Sequence, residues 1–143
     1  MKKIILIGKR ESGKTTLIQR LLSNEVKYKK TQAIDIQMNF IDTPGEYLEN
    51  KMFYKALIVT AVEADIIGFI EDCTSDEKWI PPLFSTTFSK ETIGIVTKID
   101  KGDYISIKNA EERLTEAGCS KIFKISALEK IGMLELKEYL TNN

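Results

Sequence analysis

Lys3-Ile4-Ile5-Leu6-Ile7 runs directly into Gly8-Lys9-Arg10-Glu11-Ser12-Gly13-Lys14-Thr15, an apolar segment followed by the spacing G-x-x-x-x-G-K-T. This is the order in which a buried strand hands over to a phosphate-binding loop and then to a helix. The glycines let the backbone curl until successive N–H groups face inward and form a nest for anionic oxygens. The positive end of the following helix adds to the attraction. Lys14 can reach β- and γ-phosphates, and the Thr15 hydroxyl is placed to ligate a Mg²⁺ bridging them. Gly8, Lys9, Arg10, Glu11, Ser12, Gly13, Lys14, Thr15 and the adjoining Thr16 are therefore the expected phosphate contacts, and the chain is expected to bind a nucleoside triphosphate.

Outward from this loop, apolar runs alternate with helical patterns. Strands are expected at residues 3–8, 36–41, 65–71, 92–97 and 121–125, and helices at 14–23, 48–63, 103–117 and 132–140. Most of the strand runs are continuously apolar, as strands covered on both faces must be. The alternation predicts a single α/β domain over residues 1–143 with helices on both faces of a parallel sheet. Asp103 is expected to cap the third helix at its start and Gly118 at its end. Residues 74–90 differ, because Trp79-Ile80-Pro81-Pro82 interrupts any helix. A short or irregular crossover is expected there, with Trp79, Pro81, Leu83 and Phe84 either packed over the sheet or displayed for docking.

Ligands of open α/β sheets bind at the carboxyl ends of the strands, and further signals fall at those positions. Asp42-Thr43-Pro44-Gly45 follows the second strand: the Asp42 carboxylate can hold a Mg²⁺-bound water, and the Gly45 N–H can sense a γ-phosphate. Thr97-Lys98-Ile99-Asp100 follows the fourth, where a carboxylate at Asp100 can accept both N1–H and N2–H of guanine. Adenine presents an acceptor at N1, so Asp100 selects against it. Ser126-Ala127-Leu128 follows the fifth and can bring a backbone N–H toward guanine O6. GTP or GDP with Mg²⁺ is the expected cofactor, with ATP as the alternative.

The set G-x-x-x-x-G-K-T, D-x-x-G, [N/T]-K-x-D and S-A resembles that of small P-loop GTPases over residues 8 to 128. Lys30-Thr31-Gln32-Ala33 and Ile41-Asp42-Thr43-Pro44-Gly45-Glu46-Tyr47 narrow the resemblance to the EutP/PduV family of bacterial ethanolamine and propanediol utilisation. That resemblance implies a Ras-like P-loop domain, a role near a bacterial microcompartment with a shell or pathway protein as partner, and Thr31 as a third ligand approaching Mg²⁺ beside Thr15 and Asp42.

Three departures from the usual GTPase pattern carry expectations. Only ten residues separate Thr31 from Asp42, too few for a full antiparallel edge hairpin, so the sheet is expected to be five-stranded in the order 2-1-3-4-5. Glu46 stands where many GTPases have a water-orienting glutamine; a carboxylate cannot donate as an amide does, so hydrolysis should be slow. Arg10 replaces the usual loop glycine and either acts in cis on developing phosphate charge or faces solvent. Lys14, Glu46 and Arg10 are the catalytic candidates. Two other function classes stay open: an acyl or acetate kinase passing phosphate from nucleotide to a short carboxylate, and a nucleotide-dependent docking module with little turnover.

With 21 basic and 21 acidic residues and no histidine, no nucleic-acid or anionic-membrane surface is expected. No apolar stretch is long enough to span a bilayer. Met1-Lys2-Lys3 leads straight into a strand pattern, so no cleavable signal and a cytoplasmic location are expected. Cys73 and Cys119 lack C-x-x-C spacing and read as reduced thiols.

Overall fold

The computed structural model describes residues 2–28 and 39–141. Among the described residues, five strands, β1 (Ile4–Ile7), β2 (Phe40–Asp42), β3 (Ile66–Asp72), β4 (Glu91–Thr97) and β5 (Lys121–Lys124), form one sheet of order β2-β1-β3-β4-β5. Every pairing is parallel, which is the fold expected from the sequence. The expected Thr31 contact and the expected loss of an edge hairpin fall largely on residues 29–38, outside the described residues.

Successive strand residues face opposite sides of a sheet, and β1 shows the consequence. Ile5 and Ile7 join one core with Leu48, Leu57, Phe69, Ala110 and Leu114, whereas Ile4 and Leu6 join another with Leu17, Leu21, Met133, Leu136 and Leu140. Helix α1 (Lys14–Tyr28) and α5 (Met133–Thr141) cover the second face; α2 (Glu46–Glu49), α3 (Tyr54–Ala61) and α4 (Tyr104–Glu116) cover the first. All four residues of β1 are fully buried, and at about 1.5–3 kcal/mol for each such side chain this strand anchors both layers.

Two helices depart from expectation. The helix predicted at 14–23 continues to Tyr28, since Ser23 and Asn24 are weak helix formers but not breakers once a helix is nucleated. The helix predicted at 48–63 is interrupted instead: Asn50 takes an extended backbone (φ −131°, ψ 115°), and its side chain accepts from Met52 N to start a 3₁₀ turn at Lys51–Phe53. Asparagine favours such local caps over helix interior. At the end of α3, Lys90 donates to the carbonyls of Ala61, Val62 and Ala64 at 2.5–2.8 Å, satisfying the last orphan acceptors.

The expected caps of α4 are present. Asp103 accepts from Ser106 N at 2.7 Å while Ser106 Oγ takes the Asp103 N–H, a reciprocal capping box. At the other end, Cys119 N bonds to Leu114 O and Gly118 N to Thr115 O, the paired bonds of a Schellman motif.

Residues 74–90 contain only a 3₁₀ turn at Phe84–Thr87. Ile80, Phe84 and Phe88 are buried, and Phe84 stacks on Phe69 at 5.6 Å and meets Phe88 edge-on at 5.2 Å. Trp79 is half-buried against the same core. The segment thus packs over the sheet as a shortened crossover, leaving Pro82 and Leu83 exposed.

Candidate functional site

Gly13 adopts φ +108°, a conformation that strains any residue with a Cβ, and this turn aims the loop backbone toward the start of α1. Lys14 is buried and folds back over the loop, donating to Gly8 O at 2.6 Å, Lys9 O at 2.8 Å and Ser12 Oγ at 3.3 Å. Burial pushes the Lys14 ammonium below its ordinary pKa, opposed by the nearby carboxylates of Asp42 and Glu49. An anion arriving here would satisfy a cation that now leans on carbonyls.

Thr15 Oγ1 donates to Asp42 Oδ2 at 2.7 Å, so two of the expected Mg²⁺ ligands already meet. A hydroxyl and a carboxylate are hard oxygen donors suited to Mg²⁺, which typically takes one or two protein ligands and completes its shell with phosphate and water. Among the described residues, no group of three or more His, Cys, Asp or Glu side chains could hold a metal. The Thr15 hydroxyl and the Asp42 carboxylate fit a metal that arrives with phosphates.

The base-side residues converge on a cavity of about 180 Å³ lined by Gly13, Thr16, Thr97, Lys98, Asp100, Ala127 and Leu128. Asp100 is exposed at its mouth, in the 3₁₀ turn Ile99–Lys101 after β4. Ser126 is fully buried and donates from Oγ to Asp100 Oδ1 at 2.7 Å. Its side chain thus orients the carboxylate, a role beyond the backbone contact expected of Ser126-Ala127-Leu128. Thr97 Oγ1 donates to Ser12 O at 2.6 Å, tying base segment to phosphate loop without the usual asparagine.

Lys98 makes a second tie, donating to Glu11 O and Asp72 Oδ2, both at 2.8 Å. Both Glu11 (φ 63°) and Lys98 (φ 62°) have left-handed backbones, which cost an ordinary residue about 1–3 kcal/mol and cluster at functional sites. Burial pushes Asp72 up, but bonds from Lys98 and Thr74 outweigh it and hold the carboxylate below its ordinary pKa. Asp72 was not anticipated from the sequence, although it too stands at the carboxyl end of a strand. Next to it, Glu71 turns to the opposite face and meets Arg113 Nε at 2.8 Å.

After β2, Thr43 Oγ1 donates to Leu6 O at 2.7 Å, fixing the loop that carries Gly45. A Cβ on Gly45 would lie 2.2 Å from Arg10 N, so only glycine permits this approach to the phosphate loop. Arg10 faces solvent, the second of the two expected placements, but it is tied down there: Glu49 of α2 accepts from its backbone N–H at 2.7 Å and from Nη2 at 3.0 Å. Glu46, the first residue of α2, is exposed. Lys9 is half-buried, with Glu77 3.8 Å away. Nothing in the sequence pointed to Glu49, because its partner lies 39 residues away.

Both cysteines are free, as expected, and burial raises both thiols, Cys119 to about 12. Among the described residues no helix is long and apolar enough to cross a membrane. A broader concavity, about 730 Å³, lies between α4 and β5 and is lined by Ile99, Tyr104, Ile107, Lys108, Lys124 and Ile131 among others. It holds none of the phosphate-loop residues.

Comparison with known proteins agrees with this architecture. The G-domain of FeoB from Methanococcus jannaschii superimposes with a TM-score of 0.64 at 21% identity, covering 98% of this chain and 95% of that one. Propanediol utilization protein PduV of Citrobacter freundii is 43% identical over 98% of this chain and 93% of its own length. Probable acetate kinase EutP of Escherichia coli K12 is 30% identical over 99% and 91%. The model of the PduV-EutP family, described as ethanolamine utilisation - propanediol utilisation, matches residues 1–142. With the family model matching residues 1–142 and a relative 43% identical along nearly the whole of both chains, the chain belongs to the PduV-EutP family.

Proposed function

We propose that this protein is a Mg²⁺-dependent guanine-nucleotide-binding protein, a slow GTP hydrolase or switch serving ethanolamine or propanediol utilisation. The observation that carries the reading is convergence: the Lys14 ammonium, the Thr15–Asp42 pair and the Asp100 cavity all lie at one edge of the sheet. In this reading the loop residues cradle the phosphates, Lys14 neutralises the β- and γ-oxygens, and Thr15 and Asp42 hold Mg²⁺ directly or through water, with Thr31 as a further ligand. Asp100, oriented by Ser126, accepts from guanine, while Gly45 and Glu46 face the γ-phosphate and attacking water. The family's setting supports a pathway or microcompartment shell protein as partner and a cytoplasmic location.

Thermal unfolding with Mg²⁺ and GTP, GDP, ATP or ADP tests the reading beside a Lys14→Ala control. Ligand at about 100 times its Kd adds about 2.7 kcal/mol, which for a chain of this size raises Tm by about 5–11 °C. Guanine nucleotides alone should produce the shift, and Lys14→Ala should abolish it. An equal shift with ATP would overturn the base assignment. The similarity to a probable acetate kinase favours a second reading, transfer of phosphate to a short carboxylate, for which acetyl phosphate formed from ATP and acetate is the direct readout.

A further inference from the structure

The contact between Arg10 and Glu49 has the chemistry of a phosphate contact without a phosphate. One carboxylate takes a phosphate-loop N–H at 2.7 Å and, through both oxygens, the same residue's guanidinium at 3.0–3.4 Å. The carboxylate side chain is 17% exposed and the Arg10 side chain 73%, so the anion is sheltered while the cation it holds faces solvent. Gly45 presses on the Arg10 backbone from the same side, which seats α2 directly on the phosphate loop.

We infer that Glu49 sets the discrimination between nucleoside triphosphate and diphosphate: its carboxylate stands in for the terminal phosphate on Arg10, and a γ-phosphate must displace it. The inference rests on the nucleotide-binding reading and extends it to the residue that regulates the site. The charges around this clasp act in the same sense. Lys14, which would hold the γ-phosphate, lies within the electrostatic reach of Glu49, and Glu46 adds a second negative charge near Arg10. A terminal phosphate entering beside Lys14 therefore meets like charge and a competing acceptor on the same Arg10 donors. A diphosphate reaches neither, so the clasp stays closed.

Opening has a built-in reporter. Trp79, the sole tryptophan, shares a groove of about 470 Å³ with Glu49 and Leu48. Departure of Glu49 changes the wall that Trp79 faces.

The test is equilibrium titration of wild type, Glu49→Gln and Arg10→Ala with GDP and with a non-hydrolysable GTP analogue in Mg²⁺, with Trp79 emission recorded alongside. Glu49→Gln removes the charge at nearly constant shape. It should tighten the triphosphate about tenfold, the factor expected when one nearby like charge is removed at a partly exposed site, and leave GDP within about twofold. Arg10→Ala should weaken the triphosphate selectively, and emission should differ between the two nucleotides in wild type only. If GDP binds wild type but Glu49→Gln moves both affinities by one factor, or neither, the Glu49 inference fails while the nucleotide reading stands. If neither nucleotide binds wild type, the reading and the inference fall together.

Discussion

Replacing Arg113 with methionine should remove the counter-charge of a buried carboxylate while keeping most of the packed volume. Glu71 is 6% exposed, and its Oε1 accepts from Arg113 Nε at 2.8 Å; the Arg113 Nη2 also donates to Ser75 O at 2.9 Å. Breaking a buried pair from one side costs about 3–5 kcal/mol, because the remaining charge has neither water nor partner. Unfolding entropy of about 2.1 cal/mol/K per residue over 143 residues is about 0.3 kcal/mol/K. The expected fall in Tm is thus about 10–17 °C.

The pH dependence identifies the cause. Burial already raises the Glu71 carboxyl above its ordinary 4.5, and Arg113 pulls it back. Without Arg113 the folded-state pKa rises further. A carboxyl raised on folding contributes stability that is fully present below its unfolded pKa and lost as pH rises through the folded one. The deficit of Arg113→Met should therefore be small near pH 4.5 and grow toward neutrality. Chemical denaturation at several pH values measures it. The double variant Glu71→Met with Arg113→Met should recover most of the loss, since no charge is left stranded, apart from about 1 kcal/mol for the bond to Ser75 O. A deficit below about 1 kcal/mol, or one independent of pH, would refute the reasoning, because the pair would then be acting as an exposed one.

Two further outcomes concern the site. Thr97→Val leaves the buried Ser12 carbonyl without its 2.6 Å donor and should cost about 1–3 kcal/mol of stability; calorimetric titration should show weaker binding of both GDP and GTP, and unchanged affinities would separate this bond from ligand binding. Gly45→Ala must push α2 off the phosphate loop, because a Cβ would lie 2.2 Å from Arg10 N; single-turnover hydrolysis should fall about 100-fold, as for a misplacement of about 1 Å, and a wild-type rate would show that Gly45 does not approach the γ-phosphate.

Fold and site were legible to different depths. The β1 run and G-x-x-x-x-G-K-T are local patterns, each requirement met within a dozen residues, so strand, loop and helix could be read directly. The same holds for the other strands, whose unbroken apolar runs imply burial on both faces, and for Asp103 and Gly118, whose capping bonds are short-range. Asp42, Thr97, Asp100 and Ser126 were readable because parallel strands deliver their carboxyl ends to one edge. The break at Asn50 was not, since its apolar periodicity continues on both sides and only the seating of α2 decides where the turn falls.

By itself, the amino-acid sequence determined the strands, the phosphate loop and most of the strand-end residues that converge near it, because periodicity, turn chemistry and strand ends are properties of neighbouring residues; the strand order was legible only through the resemblance to P-loop GTPases. Tertiary structure alone decided how those residues are held. Ser126 orients Asp100 across 26 positions, Lys98 spans from Asp72 to Glu11, and Glu49 reaches 39 positions back to Arg10. Each is a side-chain bond that exists only once the sheet has brought distant loops within 3 Å, and no local pattern of charge or hydropathy encodes such a pairing.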